Sequence, residues 1–246
     1  MGWRLKAALL GAGGVVVVLV VVASLFYAGV WQINNPSSTR YPVRGVDVSS
    51  FQGEIDWPVL AGQDISFVYI KATEGSGSVD ERFQANLAGA TATGLRVGAY
   101  HFFSFDSPGA TQADNFIATV PVTPGMLPPA IDLEFYGEKK TNPPDVASVR
   151  GELGVLLTRL HEHYGLRPVI YVPKDTFDLY IAGSFVDYGI WYADWFGTPK
   201  PADGREWTFW QYTSRMRLPG YAGPERFIDM NVFCCDKAAF EEYGRG

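Results

Sequence analysis

The sequence predicts an α/β protein with a TIM-like barrel. Eight strand-like runs recur after position 43, and helical patterns separate the early runs. Alternating strands and helices favour a parallel sheet, and eight strands in roughly 200 residues fit a closed barrel with reduced later helices. A doubly wound open sheet is the alternative fold. The sequence contains neither a Gly-x-Gly-x-x-Gly turn nor a phosphate loop, so it does not indicate a nucleotide.

The composition sets the size of the protein and limits its partners. The chain has 246 residues, which fits one barrel-sized domain plus a short extra segment. It is 47% hydrophobic and 15% aromatic, which is ample for a core. A formal net charge of −6 and the lack of a basic run in the body of the chain argue against a nucleic-acid partner.

Residues 1–31 predict a membrane anchor. Residues 7–30 carry no charge, and a helix of this length can cross a bilayer. Because Arg4 and Lys6 precede it, we expect the N-terminus in the cytoplasm and the rest of this single-pass protein outside. A cleaved signal peptide with a site at Val21-Val22-Ala23 is the alternative, and it would give a secreted protein. Residues 32–43 are polar and turn-rich and predict a linker, followed by a barrel domain over residues 44–246.

The elements of the barrel follow from hydrophobic periodicity. Helical spacing predicts helices over residues 80–93, 108–120 and 145–164, with Gly94 and Gly165 as stops for the first and last. The later gaps are shorter and richer in Gly and Pro, so we expect no full helices there. The predicted strands cover residues 44–49, 67–72, 97–102, 127–134, 168–172, 189–193, 208–212 and 227–232.

Two carboxylates end the fourth predicted strand. Asp132 and Glu134 alternate with Ile131 and Leu133, and residues two apart in a strand point to the same face. Two carboxyls this close do not titrate independently, so the pKa of one is raised. A protonated acid beside a charged carboxylate is the pair that cleaves a glycosidic bond. A strand end with two solvated acids is the alternative interpretation.

The same alternation predicts further acids inside the barrel. In the first strand Asp47 opposes Val46 and Val48, and in the last strand Asp229 opposes the apolar residues around it. If the branched apolar residues pack on outer helices, the acids face the interior. Barrel active sites lie at the carboxyl ends of the strands, so we expect Asp47, Asp132, Glu134 and Asp229 to converge at one mouth. Alternatively, Lys71, Tyr69 or Tyr100 satisfies these acids, which are then structural groups.

Several runs, taken in order, resemble glycoside hydrolase family 25, the Chalaropsis-type lysozymes or N-acetylmuramidases. The resemblance covers roughly residues 44–233. It implies a (β/α)5(β)3 barrel and hydrolysis of the β-1,4 bond between N-acetylmuramic acid and N-acetylglucosamine in peptidoglycan. The matching runs are Gly45-Val46-Asp47-Val48-Ser49-Ser50-Phe51-Gln52, Phe67 to Gly75, Gly98-Ala99-Tyr100-His101-Phe102, Asp132-Leu133-Glu134, Trp191-Tyr192-Ala193, Trp210-Gln211-Tyr212 and Ile228-Asp229-Met230-Asn231.

The resemblance also implies roles for the acids. Glu134 matches the family's general acid, and Asp132 matches the residue that orients or stabilises the reacting sugar. Asp47 and Asp229 match its first-strand and late-strand acids. Four aromatic residues are expected to face the sugar or to fill the core: Tyr69, Tyr100, Trp191 and Trp210.

The mechanism that the sequence predicts starts from a protonated Glu134. Burial and the charge of Asp132 should raise the pKa of Glu134. The carboxylate separation is not fixed by the sequence, so retention and inversion both stay open. Two alternative functions stay open. One is a wall-binding module without catalysis, and the other is a chitinase-like barrel hydrolase, which also uses an Asp-x-Glu strand end.

The sequence predicts no metal site and no cofactor. His161 and His163 lie two apart on a helix and so face different sides. His101 lies within a strand and is expected to be a hydrogen-bonded core residue. Cys234 and Cys235 are neighbours and are expected to be unpaired thiols, with a strained vicinal disulfide as the alternative.

Overall fold

The protein is built around a closed barrel. In the computed structural model, which describes residues 2–245 except for the side chains of residues 4–12, nine strands form one sheet and eight of them close the barrel. The strands are β1 Arg44–Val48, β2 Phe67–Glu74, β3 Ser78–Val79, β4 Arg96–Phe102, β5 Ala130–Asp132, β6 Val169–Pro173, β7 Gly189–Ala193, β8 Phe209–Met216 and β9 Ile228–Phe233. The eight predicted strands are therefore confirmed, and β3 is an addition that pairs only with β2.

The barrel closes through β1, which pairs with β2 on one side and with β9 on the other. Among the eight strands of the barrel, neighbours from β1 to β8 are parallel, but β9 runs antiparallel to both β8 and β1. The additional strand β3 is antiparallel to β2. The predicted parallel sheet is thus wrong for the last strand. The connection over residues 217–227 contains no helix, and an antiparallel neighbour needs no crossover whereas a parallel one does.

The helices surround the barrel unevenly. Asp145 caps the longest barrel helix by accepting a hydrogen bond from the Ser148 amide at 2.8 Å, and Gly165 ends that helix in the left-handed conformation. After β6 only one short helix and a π-helical turn, Phe177–Ile181, follow before β7, which confirms the reduced later helices. The α-helices are α1 Trp3–Tyr27, α2 Trp57–Ala61, α3 Phe83–Thr91, α4 Gly109–Thr119, α5 Val146–Tyr164, α6 Lys174–Thr176 and α7 Lys237–Glu242.

The N-terminal region consists of α1 and a segment that packs on the barrel. Among the helices of the described chain, none is both long enough and apolar enough to cross a membrane. Part of the predicted anchor, Met1 and the side chains of residues 4–12, lies outside the described residues. The predicted linker is packed, because Tyr41 is buried against Trp207 and Trp210 and the Asn34 side chain donates to the Gly197 carbonyl at 3.3 Å.

Two separate cores lie on the two faces of the barrel wall. The outer core holds the branched residues of the strands and the apolar stripe of α5, so the predicted outward direction of Val46, Val48, Ile131 and Leu133 is confirmed. The inner core includes four interlocked rings that fill the barrel, and we call them the aromatic plug: Phe67, Tyr69, Trp191 and Phe209.

Two glycines make room for the aromatic plug. A Cβ at Gly45 would lie 2.5 Å from the Phe67 ring, and a Cβ at Gly98 would lie 2.3 Å from the Tyr69 ring. Both glycines occupy inward positions of their strands, beside the residues that they pair with, Phe67 and Tyr69. The barrel interior can therefore hold large rings because the facing strands carry no side chain there.

Candidate active site

A cavity of about 780 Å³ opens above the aromatic plug, at the carboxyl ends of the parallel strands. The four acids predicted from the sequence, Asp47, Asp132, Glu134 and Asp229, all line it. Asp229 lies near the start of its strand rather than at the end. Because β9 is antiparallel, its start meets the end of β1, and Asp229 is the register partner of Asp47.

Asp47 and Asp229 are held by two side-chain amides. Asp47 Oδ2 accepts hydrogen bonds from Asn231 Nδ2 at 2.7 Å and from Gln211 Nε2 at 3.2 Å, and Gln211 Nε2 lies 3.3 Å from Asp229 Oδ2. Burial raises the pKa of both carboxyls, well above the usual value for Asp229. The charge of Asp47 adds to the rise at Asp229, because two carboxylates this close disfavour ionisation of both.

The orientation of both amides is fixed by donors behind them. Gln211 Oε1 accepts from the Tyr171 hydroxyl at 3.0 Å and from Trp195 Nε1 at 3.3 Å. Asn231 Oδ1 accepts from Trp191 Nε1 at 2.8 Å. An indole N–H can only donate, so each amide must turn its NH₂ group toward the carboxylates.

Asp132 and Glu134 lie on the other side of the cavity. β5 ends at Asp132, and the Leu133 amide donates to the Tyr171 carbonyl at 2.9 Å, so the chain continues alongside β6 and carries Glu134 to the same cavity. The pKa of Asp132 is raised well above its usual value, first by burial and then by the charge of Glu134. Asp132 Oδ1 is buried and finds no hydrogen-bond partner among the described residues.

The pKa of Glu134 is also raised, as predicted, but the cause differs in part. Burial contributes most, and the next contribution is the charge of Asp47 rather than that of Asp132. The Glu134 charge also raises the pKa of Asp132, since two neighbouring carboxyls do not titrate independently. The sequence could not give this order, since it depends on which carboxyls lie close together across the barrel.

Lys71 supplies positive charge beside the acids. Its Nζ lies 2.7 Å from Glu74 and 4.8 Å from the centre of the Phe102 ring, and the side chain lines the cavity. Its charge opposes the burial effect by lowering the pKa values of Asp132 and Glu134. The sequence predicts Lys71 only as a possible structural partner of the acids. In the structure its charge also changes the pKa values of Asp132 and Glu134.

The four predicted aromatic residues divide into two pairs. Tyr100 and Trp191 line the cavity. Tyr69 and Trp210 do not: Tyr69 is fully buried in the aromatic plug with its hydroxyl 3.1 Å from the Pro128 carbonyl, and Trp210 packs outside the barrel against Trp207. Direct contact of Tyr69 or Trp210 with a ligand is therefore excluded in this structure.

Sequence reasoning missed Tyr171, Gln211 and Trp195. A signal for Gln211 exists, because Phe209 and Gln211 alternate with Trp210 and Tyr212 in the seventh predicted strand. Applied there, the alternation that places Asp47 inside the barrel places Gln211 inside and Trp210 outside. Trp195 lies in the loop after β7, where strand alternation gives no information.

His101 has hydrogen-bond partners on both ring nitrogens, and the two cysteines are not bonded to each other. His101 is buried between Thr73 Oγ1 at 2.7 Å and Gln112 Oε1 at 3.0 Å, and burial lowers its pKa to about 4, so it is the hydrogen-bonded core residue that was predicted. Cys234 and Cys235 are both free thiols. Within residues 2–245 no group of three or more His, Cys, Asp or Glu is placed to hold a metal ion.

Comparison with known proteins agrees with this architecture. The family model for glycosyl hydrolases family 25 matches residues 46–221. The chain belongs to this family. Family 25 relatives include Lysozyme M1 of Streptomyces globisporus, which is 32% identical over 211 residues, 78% of this chain and 67% of the relative. The N,O-diacetylmuramidase of Chalaropsis sp is 36% identical over 141 residues, 52% of this chain and 65% of the relative.

Solved family 25 structures share the fold. A family 25 glycosyl hydrolase from Bacillus anthracis is 48% identical and superposes with a TM-score of 0.81, covering 85% of this chain and 96% of that one. A bacterial lysozyme from Streptomyces coelicolor is 31% identical, with a TM-score of 0.72, and covers 82% of this chain and 96% of that one. The barrel with a reduced final part is thus the family 25 fold.

Proposed function

We propose that this family 25 hydrolase cleaves the β-1,4 bond between N-acetylmuramic acid and N-acetylglucosamine in peptidoglycan glycan strands. One observation carries the proposal: four partly buried carboxyls with raised pKa values line a single cavity at the mouth of the barrel. Lysozyme and N,O-diacetylmuramidase relatives support the choice of substrate. Such a site keeps a proton available for the leaving group and negative charge for the sugar cation.

In the proposed reaction Glu134 is the general acid. It gives its proton to the glycosidic oxygen while the bond between that oxygen and the anomeric carbon breaks. Positive charge develops on the sugar ring and is stabilised by the surrounding carboxylates. Water then adds its hydroxyl to the anomeric carbon, and its proton returns to Glu134.

Asp132 acts as the electrostatic or acetamido-orienting partner. Its carboxyl lines the cavity, and its buried Oδ1 atom has no hydrogen-bond partner among the described residues. Asp47 and Asp229 stand across the cavity with orientations set by Gln211 and Asn231. We assign them to the electrostatic stabilisation of the ring, with Tyr100 and Trp191 as substrate contacts.

The test compares the wild-type protein with Glu134→Gln on purified peptidoglycan. The carboxamide keeps the shape of the side chain but has no acidic proton, so we expect turnover to fall by about 10²–10⁴-fold. Mass analysis of the fragments identifies the bond: a new reducing end on N-acetylmuramic acid supports the proposal. A wild-type protein that binds walls but releases no reducing ends would instead be a binding module, and preferential cleavage of chitin would indicate a chitinase-like enzyme.

We further propose that the catalytic domain works outside the cytoplasm, held at the membrane by residues 1–31. The uncharged stretch over residues 7–30 and the basic residues Arg4 and Lys6 before it support this placement. A tether would confine the enzyme to the wall layers nearest the membrane and raise its effective concentration there. Fractionation of cells tests it: the full-length chain should sediment with membranes and resist extraction by salt, whereas a shortened, freely secreted chain would refute the tether.

A further inference from the structure

The cavity is longer than the group of acids, and its far wall comes from an unexpected part of the chain. Beyond the carboxyls the lining includes Phe227 and Arg215, and also Phe26, which lies in the last turn of α1. The family model begins at residue 46, so Phe26 precedes the family 25 domain. A segment outside the conserved fold therefore contributes to the wall of the candidate active site.

Arg215 joins the end of α1 to the barrel. Its Nη2 donates to the Tyr27 carbonyl at 2.9 Å. Its guanidinium lies 4.3 Å from the centre of the Phe227 ring and 5.3 Å from the centre of the Phe26 ring. The cation thus sits between two aromatic rings that both line the cavity, and such contacts favour a fixed relative position of the rings.

The turn after α1 is fitted to the same surface. Gln32 Nε2 donates to the Arg215 carbonyl at 2.8 Å, and Gln32 Oε1 accepts from Thr213 Oγ1 at 2.6 Å. Gly29 is buried with a φ of +70°, and a Cβ there would lie 2.5 Å from the Phe227 ring. Hydrogen bonds at Tyr27 and Gln32 and the close packing of Gly29 hold the end of α1, and with it Phe26, in place.

We propose that Phe26, held by Arg215 beside Phe227, forms an additional glycan-binding subsite of the active-site cleft. The face of an aromatic ring suits the apolar face of a sugar ring, and ligand sites combine such apolar walls with a few polar groups. The cavity volume of about 780 Å³ is in the upper part of the ~300–1,000 Å³ range of small-ligand sites, which leaves room beyond the reacting bond. This inference rests on the proposed function, because the ligand is the same glycan strand.

Binding measurements on the full-length chain in mild detergent test the subsite. All variants carry Glu134→Gln so that the ligand, soluble glycan strands freed of stem peptides, is not consumed. Phe26→Ala should weaken binding by roughly three- to tenfold, the loss expected for one aromatic contact. Phe26→Trp should retain the affinity. Leu25→Ala is the matched control, since Leu25 is the exposed neighbour in the same turn and does not line the cavity.

Arg215→Ala gives a second readout. It releases the end of α1 and should weaken binding about as much as Phe26→Ala, and the double variant should be no weaker than either single one, because both remove the same wall. Additive losses, or equal affinity of Phe26→Ala and Leu25→Ala, would overturn the subsite. If Arg215→Ala does not fold, as judged by its unfolding midpoint, the Phe26 series decides alone. Failure of the proposed function has a separate sign, namely no reducing ends from peptidoglycan with the wild-type protein.

Discussion

The floor and the mouth of the barrel are built from the same inward positions of the same strands, yet they differ completely in chemistry. On β2 the inward series runs from Phe67 and Tyr69 in the plug to Lys71 in the cavity. On β8 it runs from Phe209 to Gln211. Two residues along a strand are enough to pass from a close-packed aromatic core to a cluster of titrating groups.

Stability and activity are located in different parts of the barrel. The aromatic plug buries large apolar surfaces with few unsatisfied groups, which favours folding. The mouth holds four carboxyls whose pKa values are raised chiefly by burial, so each would be easier to ionise in the unfolded chain. The mouth therefore costs stability and the floor supplies it.

The largest effect should come from the mouth and should spare stability. We expect Asp132→Asn to lower turnover of peptidoglycan by about 10²–10³-fold, because the amide replaces one of the two carboxyl oxygens assigned to the orientation of the substrate's acetamido group. Its unfolding free energy should not fall, since a buried acid with a raised pKa is replaced by a neutral group of the same shape. Asp114→Asn, which breaks a surface ion pair with Arg159, is the control and should keep full turnover. Equal activity of the two variants would remove Asp132 from the mechanism.

The floor should show the opposite behaviour. Phe67 is fully buried among Tyr69, Phe209 and Phe240, and we expect Phe67→Ala to lower the unfolding free energy by about 3–5 kcal/mol through the cavity it leaves. Urea denaturation measures the loss. Turnover per folded molecule should stay within a few-fold of wild type, and Val122→Ala on the surface should change neither quantity. A stable but inactive Phe67→Ala would erase the distinction between floor and mouth.

Asp229→Asn should make the protein more stable at neutral pH. Unfolded Asp229 ionises with the usual pKa of 3.8, while burial keeps the pKa of the native group well above it. The native state therefore holds a proton that the unfolded state releases, and stability falls as pH rises between these values. Replacement should add about 1–3 kcal/mol at pH 7, a gain that vanishes below about pH 4.

Asp203→Asn is the control of opposite sign for that measurement. Burial raises the pKa of Asp203, but hydrogen bonds from Arg205 and from the Gly183 amide outweigh this and lower it. Its stabilising contribution is present above the unfolded pKa and is lost as pH falls through the native one. Asp203→Asn should therefore destabilise the protein at pH 7 and approach wild type in acid. If both variants moved in the same direction, the raised pKa of Asp229 would be wrong.

The smallest predicted effect is a shift in the pH dependence of catalysis. Lys71 lowers the pKa values of Asp132 and Glu134 against the effect of burial. Lys71→Met should let both rise further, so the basic limb of the pH–rate profile should move to higher pH by roughly half a unit to one unit. Lys139→Met removes a cation that pairs with Asp106 outside the cavity and should leave the profile unchanged. A shift to lower pH would contradict the assigned sign.

The sequence predicts which face of a strand a residue occupies, but not how deep in the barrel it lies. Strand alternation places Asp47, Asp132 and Asp229 inside the barrel because side chains alternate with a period of two, whatever the neighbouring strands are. Alternation does not give depth along the barrel, and this is why Tyr69 is a floor residue although it shares its face with Lys71. It also cannot tell that β9 reverses direction, which brings Asp229 to the mouth.

The remaining gaps concern groups that act from a distance. The contribution of Asp47 to the pKa of Glu134 depends on closure of the barrel, which no local pattern contains. Trp195 reaches Gln211 from a loop. Phe26 belongs to a helix that the sequence assigns to the membrane, and its place in the cavity wall follows only from the contacts around Arg215.

The antiparallel last strand determines when, during synthesis of the chain, the candidate site becomes complete. Asp47 in β1 receives its shortest hydrogen bond from Asn231, 184 residues later in the chain. A chain still being synthesised therefore lacks both Asp229 and the amide that orients Asp47 until β9 has been made. The candidate site is thus incomplete until the last strand of the barrel is made, simply because of the order in which its residues are joined.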